Sequence, residues 1–550
     1  MTSPRASNPF DWTAAYPSPR APVFARQVVS TSHPLAAQHG LRVLAEGGNA
    51  IDAAICAAAT MTIAEPCSNG LGSDLFAIVW DGTALHGLNA SGTAPAAWTP
   101  AYFRRLGGED ARTPPKRGWG SVTVPGAVAG WVELHRRFGS KPLARLLGPA
   151  AEAAERGIAV PPVIAHKWAG AAALPELTSQ PGFAEAFLQG PGWQGRAPRV
   201  GERFVLPGAA RTLRAIADTA GDHYYRGEVA AAAEAHAKAH GGAITAADFA
   251  AYAPEWVGTI AHPYRGHVLH EIPPNGQGLA ALIALGILEH FELASMPVDG
   301  PQKMHLQIEA MKLAFADVYA HVADARAMRV GVGEMLDPAY LKARAALIDP
   351  RRAQPFFSGF GPRGGTIYLT AADTTGRMVS LIQSNYMGFG SGIVLPEHGV
   401  SFQNRGQAFT LDEAHANVVA PGKRPFHTII PAFLTDADGA PRMSFGVMGG
   451  DMQPQGHLQT LSRMLDHRQN PQAACDAPRW RVAGGVVNCE AHMPAATVQG
   501  LVDLGHRVEG FSDSYQDYGA GQFIWRLGDP AVEGYAAASD PRRDGAAAGL

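Results

Sequence analysis

The sequence is poor in the features that assign a chain most quickly. It has four cysteines in 550 residues, Cys56, Cys67, Cys475 and Cys489. They form no CxxC pair and no His/Cys metal spacing, so nothing points to a cysteine-held metal. Cys56 and Cys67 sit in apolar surroundings, where buried structural thiols are expected, and a reducing compartment fits. None of the 21 histidines pairs at a persuasive metal spacing, so neither a metal nor a cofactor is expected. An excess of one charge is also missing: Lys+Arg is 45 against Asp+Glu 48, a net charge of -3. That balance favours neither nucleic acid nor an anionic membrane as partner. No window has the apolar length of a membrane span. Met1 to Pro22 carries prolines, Asp11 and arginines but no apolar signal-peptide core, and we expect a soluble, cytoplasmic protein. There is no Gly-x-Ser-x-Gly elbow, no phosphate loop, no His-Glu-x-x-His helix and no internal repeat.

What is present is a change of period along the chain. Residues 27–33 read as a strand, and 36–46 as a helix stopped by Gly47-Gly48. Asn49 opens a second helix, apolar nearly all round and therefore buried, reaching about Ile63. A glycine-rich turn, Ser68 to Asp74, feeds a strand over 75–80. Helix returns at 127–138, through the alanine-rich stretch 140–260, and at 305–322 with its stripe of Ile308, Met311, Phe315 and Val318. Residues 349–365, rich in Pro, Arg and Gly, read as an exposed linker. Beyond it short strands follow at 367–371, 378–382, 392–395, 400–402, 429–434 and 443–447. A helix over 455–465 and strands at 486–490 and 523–526 complete the pattern, with a frayed Gly/Ala-rich tail after Arg543. A helical first part and a strand-rich second part predict an α/β layered fold.

The junction Gly365-Thr366 is where linker meets strand. A threonine hydroxyl is a weak nucleophile near neutral pH. It gains a near-neutral base if its own α-amine is free, and cutting the Gly365–Thr366 bond would free it. The hydroxyl could make that cut by attacking the Gly365 carbonyl. Gly449 and Gly450, after a strand, could supply N–H donors to the oxyanion.

Nearly the whole chain resembles the gamma-glutamyltransferase (gamma-glutamyltranspeptidase) family of N-terminal-nucleophile hydrolases. The resemblance runs through Gly47-Gly48-Asn49-Ala50-Ile51-Asp52-Ala53-Ala54, Glu65-Pro66, Gly70-Leu71-Gly72, Val124-Pro125-Gly126 and Glu309-Ala310-Met311-Lys312. It is densest from Thr366 through Phe389-Gly390-Ser391-Gly392, Lys423-Arg424-Pro425, Gly449-Gly450 and Ala477-Pro478-Arg479. It implies a four-layer αββα sandwich, self-cleaved into a large subunit, 1–365, and a small subunit, 366–550. It places Thr366 on the family nucleophile, Ser384 on a supporting hydroxyl, and Gly449 and Gly450 on the oxyanion-hole glycines.

The departures bear on substrate. The acid that typically helps hold a donor's α-amino group is Ala408, and its Glu/Gln neighbour after Asn404 is Arg405. A cation there repels an ammonium and attracts a carboxylate. The typical serine pair is His427-Thr428, an asparagine is Tyr386, and the carboxylate-clamping arginine is missing from Leu88 to Pro95. This set resembles the oxamate amidohydrolase branch. The expected partner is a small carboxylate-bearing amide, bound by Arg405, Tyr386, His427, Thr428 and Asn404. A dimer of heterodimers is the assembly kept open. The alternatives are a glutathione hydrolase or γ-glutamyl transferase with an altered pocket, an acylase of acidic side-chain amides, and a non-catalytic binding relative.

Overall fold

The computed structural model describes residues 19–356, 365–510 and 518–550. Much of the predicted linker and the residues before Gly365 lie outside that range. Two seven-stranded sheets form the frame. Their strands are, in chain order, β1 (Val23–Ala25), β2 (Val28–Thr31), β3 (Asp74–Trp80), β4 (Leu85–Ala90), β5 (Glu255–Trp256), β6 (Ile260–Tyr264) and β7 (His267–Glu271). The second half of the chain supplies β8 (Gly365–Ala372), β9 (Met378–Tyr386), β10 (Ala432–Asp436), β11 (Pro441–Met448), β12 (Ala520–Arg526), β13 (Tyr535–Ser539) and β14 (Ala546–Gly549). One sheet runs β1-β13-β12-β11-β10-β7-β6 and the other β14-β2-β8-β9-β3-β4-β5.

Strand alternation decides what each face meets. Ile367, Leu369 and Ala371 of β8 face a helical layer containing α1 (Pro34–Ala45) and α2 (Ala50–Ala64). Tyr368 and Ala372 turn the other way, into a core shared with Phe433, Met448, Ala520 and Ile524 of the opposite sheet. That sheet's outer face, including Leu434, Phe445 and Phe523, packs on α3 (Leu279–Leu288), α4 (Pro301–His321) and α5 (Met452–Leu461). The order is helix, sheet, sheet, helix, as the resemblance implied.

The buried helix α2 forms as its sequence predicts. Asn49 accepts from the N–H groups of Ile51 and Asp52, and Asp52 accepts from the Asn49 N–H in return. All its residues are buried. All four cysteines are buried and free. Among the described residues, no helix is long and apolar enough to cross a membrane.

Two expectations need correction. The tail after Arg543 is not frayed: β14 pairs antiparallel with β2. The Leu550 carbonyl also accepts from the N–H groups of Arg26 and Gln27. Small side chains let the tail close a sheet edge, and composition alone gives no sign of the pairing. The helix expected at 455–465 starts at Met452 and passes into a π-helical turn over Ser462–Asp466.

Candidate active site

Thr366 stands one residue into β8, at an irregularity in the pairing with β9. Gly365 is opposite Tyr386 and Ile367 is opposite Gln383, so Ser384 and Asn385 face the single residue Thr366. A β-bulge of this kind re-aims side chains. It brings Thr366 Oγ1 to 3.1 Å from Ser384 Oγ. Tyr386, closing the bulge, has φ of 76°, a strained backbone for a residue with a Cβ. Its N–H donates to Ser384 Oγ at 2.8 Å. Ser384 donates to the Gly365 carbonyl at 2.7 Å.

Arg405 begins a 3-10 turn, Arg405–Ala408, and is fully buried. Nη2 donates to Ser384 Oγ at 2.8 Å and Nη1 to Thr428 Oγ1 at 2.7 Å. The guanidinium carbon lies 4.3 Å from the centre of the Tyr386 ring, a cation–π distance. Nε has no hydrogen-bond partner among the described residues. The bonded partners of this buried cation are thus hydroxyls and a ring, and burial lowers its pKa to about 10.

Gly449 and Gly450 follow β11 with φ of 125° and 65°, conformations that favour glycine. The strand end lies against the start of β8: a Cβ on Gly446 would come 2.4 Å from the Tyr368 ring. Gln277 Nε2 donates to both the Gly450 and the Thr428 carbonyls, at 2.8 and 2.6 Å. One polar chain therefore links Gly450, Gln277, Thr428, Arg405, Ser384 and Thr366.

Two predicted residues are occupied by the protein itself. His427 Nδ1 accepts from the Ile429 N–H, so Nε2 carries the proton and donates to Asp74 Oδ2 at 3.1 Å. Burial, with Arg405 and Arg424 nearby, holds its pKa well below the ordinary value, so the ring is neutral. Asn404 accepts from the Met387 N–H and donates to the Lys116 carbonyl, pinning the loop after β9. In this arrangement His427 and Asn404 are each held by two hydrogen bonds within the protein. The region of the missing clamp is likewise self-satisfied: Asn89 donates to Asn275, and Arg424 donates to the Ser91 carbonyl.

Sequence reasoning missed Asp74 and Gln277. Asp74 opens β3 directly across from Ser384. It is fully buried, and burial pushes its carboxyl up to about 6. A lone acid at the start of an apolar strand was the available signal. Gln277 lies just before α3 and carried no comparable signal.

The gamma-glutamyltranspeptidase family model matches residues 36–550. The chain is 38% identical to an oxamate amidohydrolase proenzyme of Klebsiella pneumoniae over 94% of its length and 97% of that protein's. It belongs to the gamma-glutamyltranspeptidase family. A glutathione hydrolase-like proenzyme of Bacillus subtilis is 34% identical, with 96% of this chain and 98% of that protein covered. Among solved structures, a cephalosporin acylase from Bacillus halodurans superposes with a TM-score of 0.90 at 45% identity, over 100% of this chain and 99% of that one. As a gamma-glutamyltranspeptidase relative, the protein is an enzyme, an autoprocessed N-terminal-nucleophile amidohydrolase. The α/β frame matches the solved relatives.

Proposed function

We propose that the protein hydrolyses a small amide bearing a carboxylate next to the scissile group, with an oxamate-like molecule as the simplest case. The observation that carries this is Arg405, a fully buried guanidinium bonded to hydroxyls, with Nε unpaired. Among the described residues no carboxylate is bonded to this cation, Asp74 attracts it only through space, and a substrate carboxylate would relieve the cost of burial. Ala408, where the family typically has an acid, leaves no anion there for a donor ammonium.

In this reading the chain is cut before Thr366, giving subunits 1–365 and 366–550. The free α-amine of Thr366 takes the proton from its own hydroxyl, and Oγ1 attacks the substrate carbonyl. The N–H groups of Gly449 and Gly450 receive the oxyanion, and among the described residues no acceptor occupies either one. Ammonia or an amine leaves with the returned proton. Water then resolves the acyl–Thr366 ester and restores the hydroxyl. Arg405 orients the carboxylate, while Tyr386 and Thr428 fix Arg405.

Ammonia release from a panel of small amides, with and without an adjacent carboxylate, tests this. In enzyme made by co-expressing 1–365 and 366–550, Arg405→Ala is expected to lower kcat/KM on carboxylate-bearing amides by about a hundredfold and far less on neutral ones. Equal loss on both, or none, contradicts the assignment. A second reading, an acylase of acidic side-chain amides, is favoured by the 45% identity to the cephalosporin acylase across the whole chain. The same panel, extended to longer acidic acyl groups, separates the two.

A further inference from the structure

Ser384 has one hydroxyl proton and two lone pairs. Arg405 Nη2 and the Tyr386 N–H both point at its oxygen, each from 2.8 Å. Neither can accept, so together they fill the lone pairs. The proton of Ser384 is then directed to the Gly365 carbonyl, which can only accept, at 2.7 Å. Thr366 Oγ1, at 3.1 Å, finds no free lone pair on Ser384 to take its proton. In the uncut chain Ser384 is therefore an electrophilic donor to the Gly365 carbonyl and not the base for Thr366.

The geometry behind Ser384 gives that donor its strength. A cation bonded to a hydroxyl oxygen polarises the O–H and makes it a better donor. Arg405 cannot swing away: Thr428 holds its other nitrogen, the Tyr386 ring covers its face, and it is out of solvent.

We propose that Arg405 is a positioning residue for self-cleavage as well as a substrate contact. It holds Ser384 as the donor that stabilises the oxyanion formed on Gly365. The inference rests on the reading of Gly365–Thr366 as the cut bond. Thr366 Oγ1 bonds to the Gly365 carbonyl carbon, and its proton passes to solvent water. The carbonyl π pair moves onto the oxygen, where the Ser384 O–H receives it. Collapse restores the C=O and breaks the C–N bond, and the nitrogen regains a proton from water. The product is a Gly365 ester on Thr366 Oγ1 with a free α-amine. Water cleaves that ester to the Gly365 carboxylate and the Thr366 hydroxyl. The carboxylate-selecting cation is thus needed before any substrate arrives, which couples maturation to pocket identity.

The test follows conversion of full-length precursor to two fragments by intact mass over time. Arg405→Met is expected to slow conversion at least about tenfold, with Arg405→Lys in between. Folding is checked separately by thermal melting of both substitutions on a Thr366→Ala background. Because Arg405 acts through Ser384, Ser384→Ala combined with Arg405→Met should mature no more slowly than Ser384→Ala alone. Wild-type maturation in Arg405→Met, or a further tenfold loss in the double variant, overturns the proposal. A wild-type second fragment beginning elsewhere than Thr366 overturns the cut-site reading instead. Substrate kinetics on enzyme made by co-expressing 1–365 and 366–550 report on carboxylate binding without any cut being required.

Discussion

A guanidinium kept from water and from any bonded carboxylate needs a reason, and at Arg405 the reason is its neighbours. The Ser384 and Thr428 hydroxyls fix its direction, and the Tyr386 ring fixes its plane. Thr366 stood out in the sequence at a linker-to-strand junction, whereas Ser384 and Arg405 stood out only through the positions the family resemblance gave them. Asp74 did not stand out, since its meaning comes from His427, over 350 positions away. The pair makes a pH prediction. Burial raises the Asp74 carboxyl from about 4 to about 6. A raised folded pKa gives a contribution fully present below about pH 4 and lost as pH rises through about 6. Relative to Asp74→Asn, the wild type should lose roughly 3 kcal/mol of stability over that window. Thermal melts of both proteins across pH 4–8, on the Thr366→Ala background, check this. A constant difference contradicts it.

At the scale of elements, the site is made by where strands stop. The β9 bulge places two residues against Thr366, and β11, which ends just before Gly449 and Gly450, packs on β8 through Gly446 and Tyr368. Gly446 permits that approach, since any Cβ would meet the Tyr368 ring. Gly446→Ala should cost about 1–3 kcal/mol by overpacking and lower amide turnover, because the proposed oxyanion donors follow β11. Denaturant melts and ammonia release measure the two effects, and an unperturbed, fully active variant contradicts the packing argument. The strong amphipathic and all-apolar helices were readable from period and caps. Strands such as β13, Tyr535–Ser539, and β14 were not. Their alanine-rich sequences have no strand preference, and only pairing with β12, β1 and β2 makes them strands.

Across the whole molecule, the proposed cut falls between chains that remain interleaved. The segment before Gly365 gives β1, β6 and β7 to one sheet and β2 to β5 to the other, and β8 is hydrogen-bonded to β2 on one side and β9 on the other. Neither fragment owns a complete sheet. The two should co-elute under native conditions and melt in one transition, and separation without denaturant would contradict this interlocking. The central claim is that Thr366 becomes the N-terminus of the working enzyme. Intact-mass and N-terminal sequencing of purified wild type and Thr366→Ala test it most directly. Two wild-type fragments are expected, the second beginning at Thr366, with the variant one intact, inactive chain. A single uncut chain with full activity, or a second fragment starting at any other residue, would contradict it.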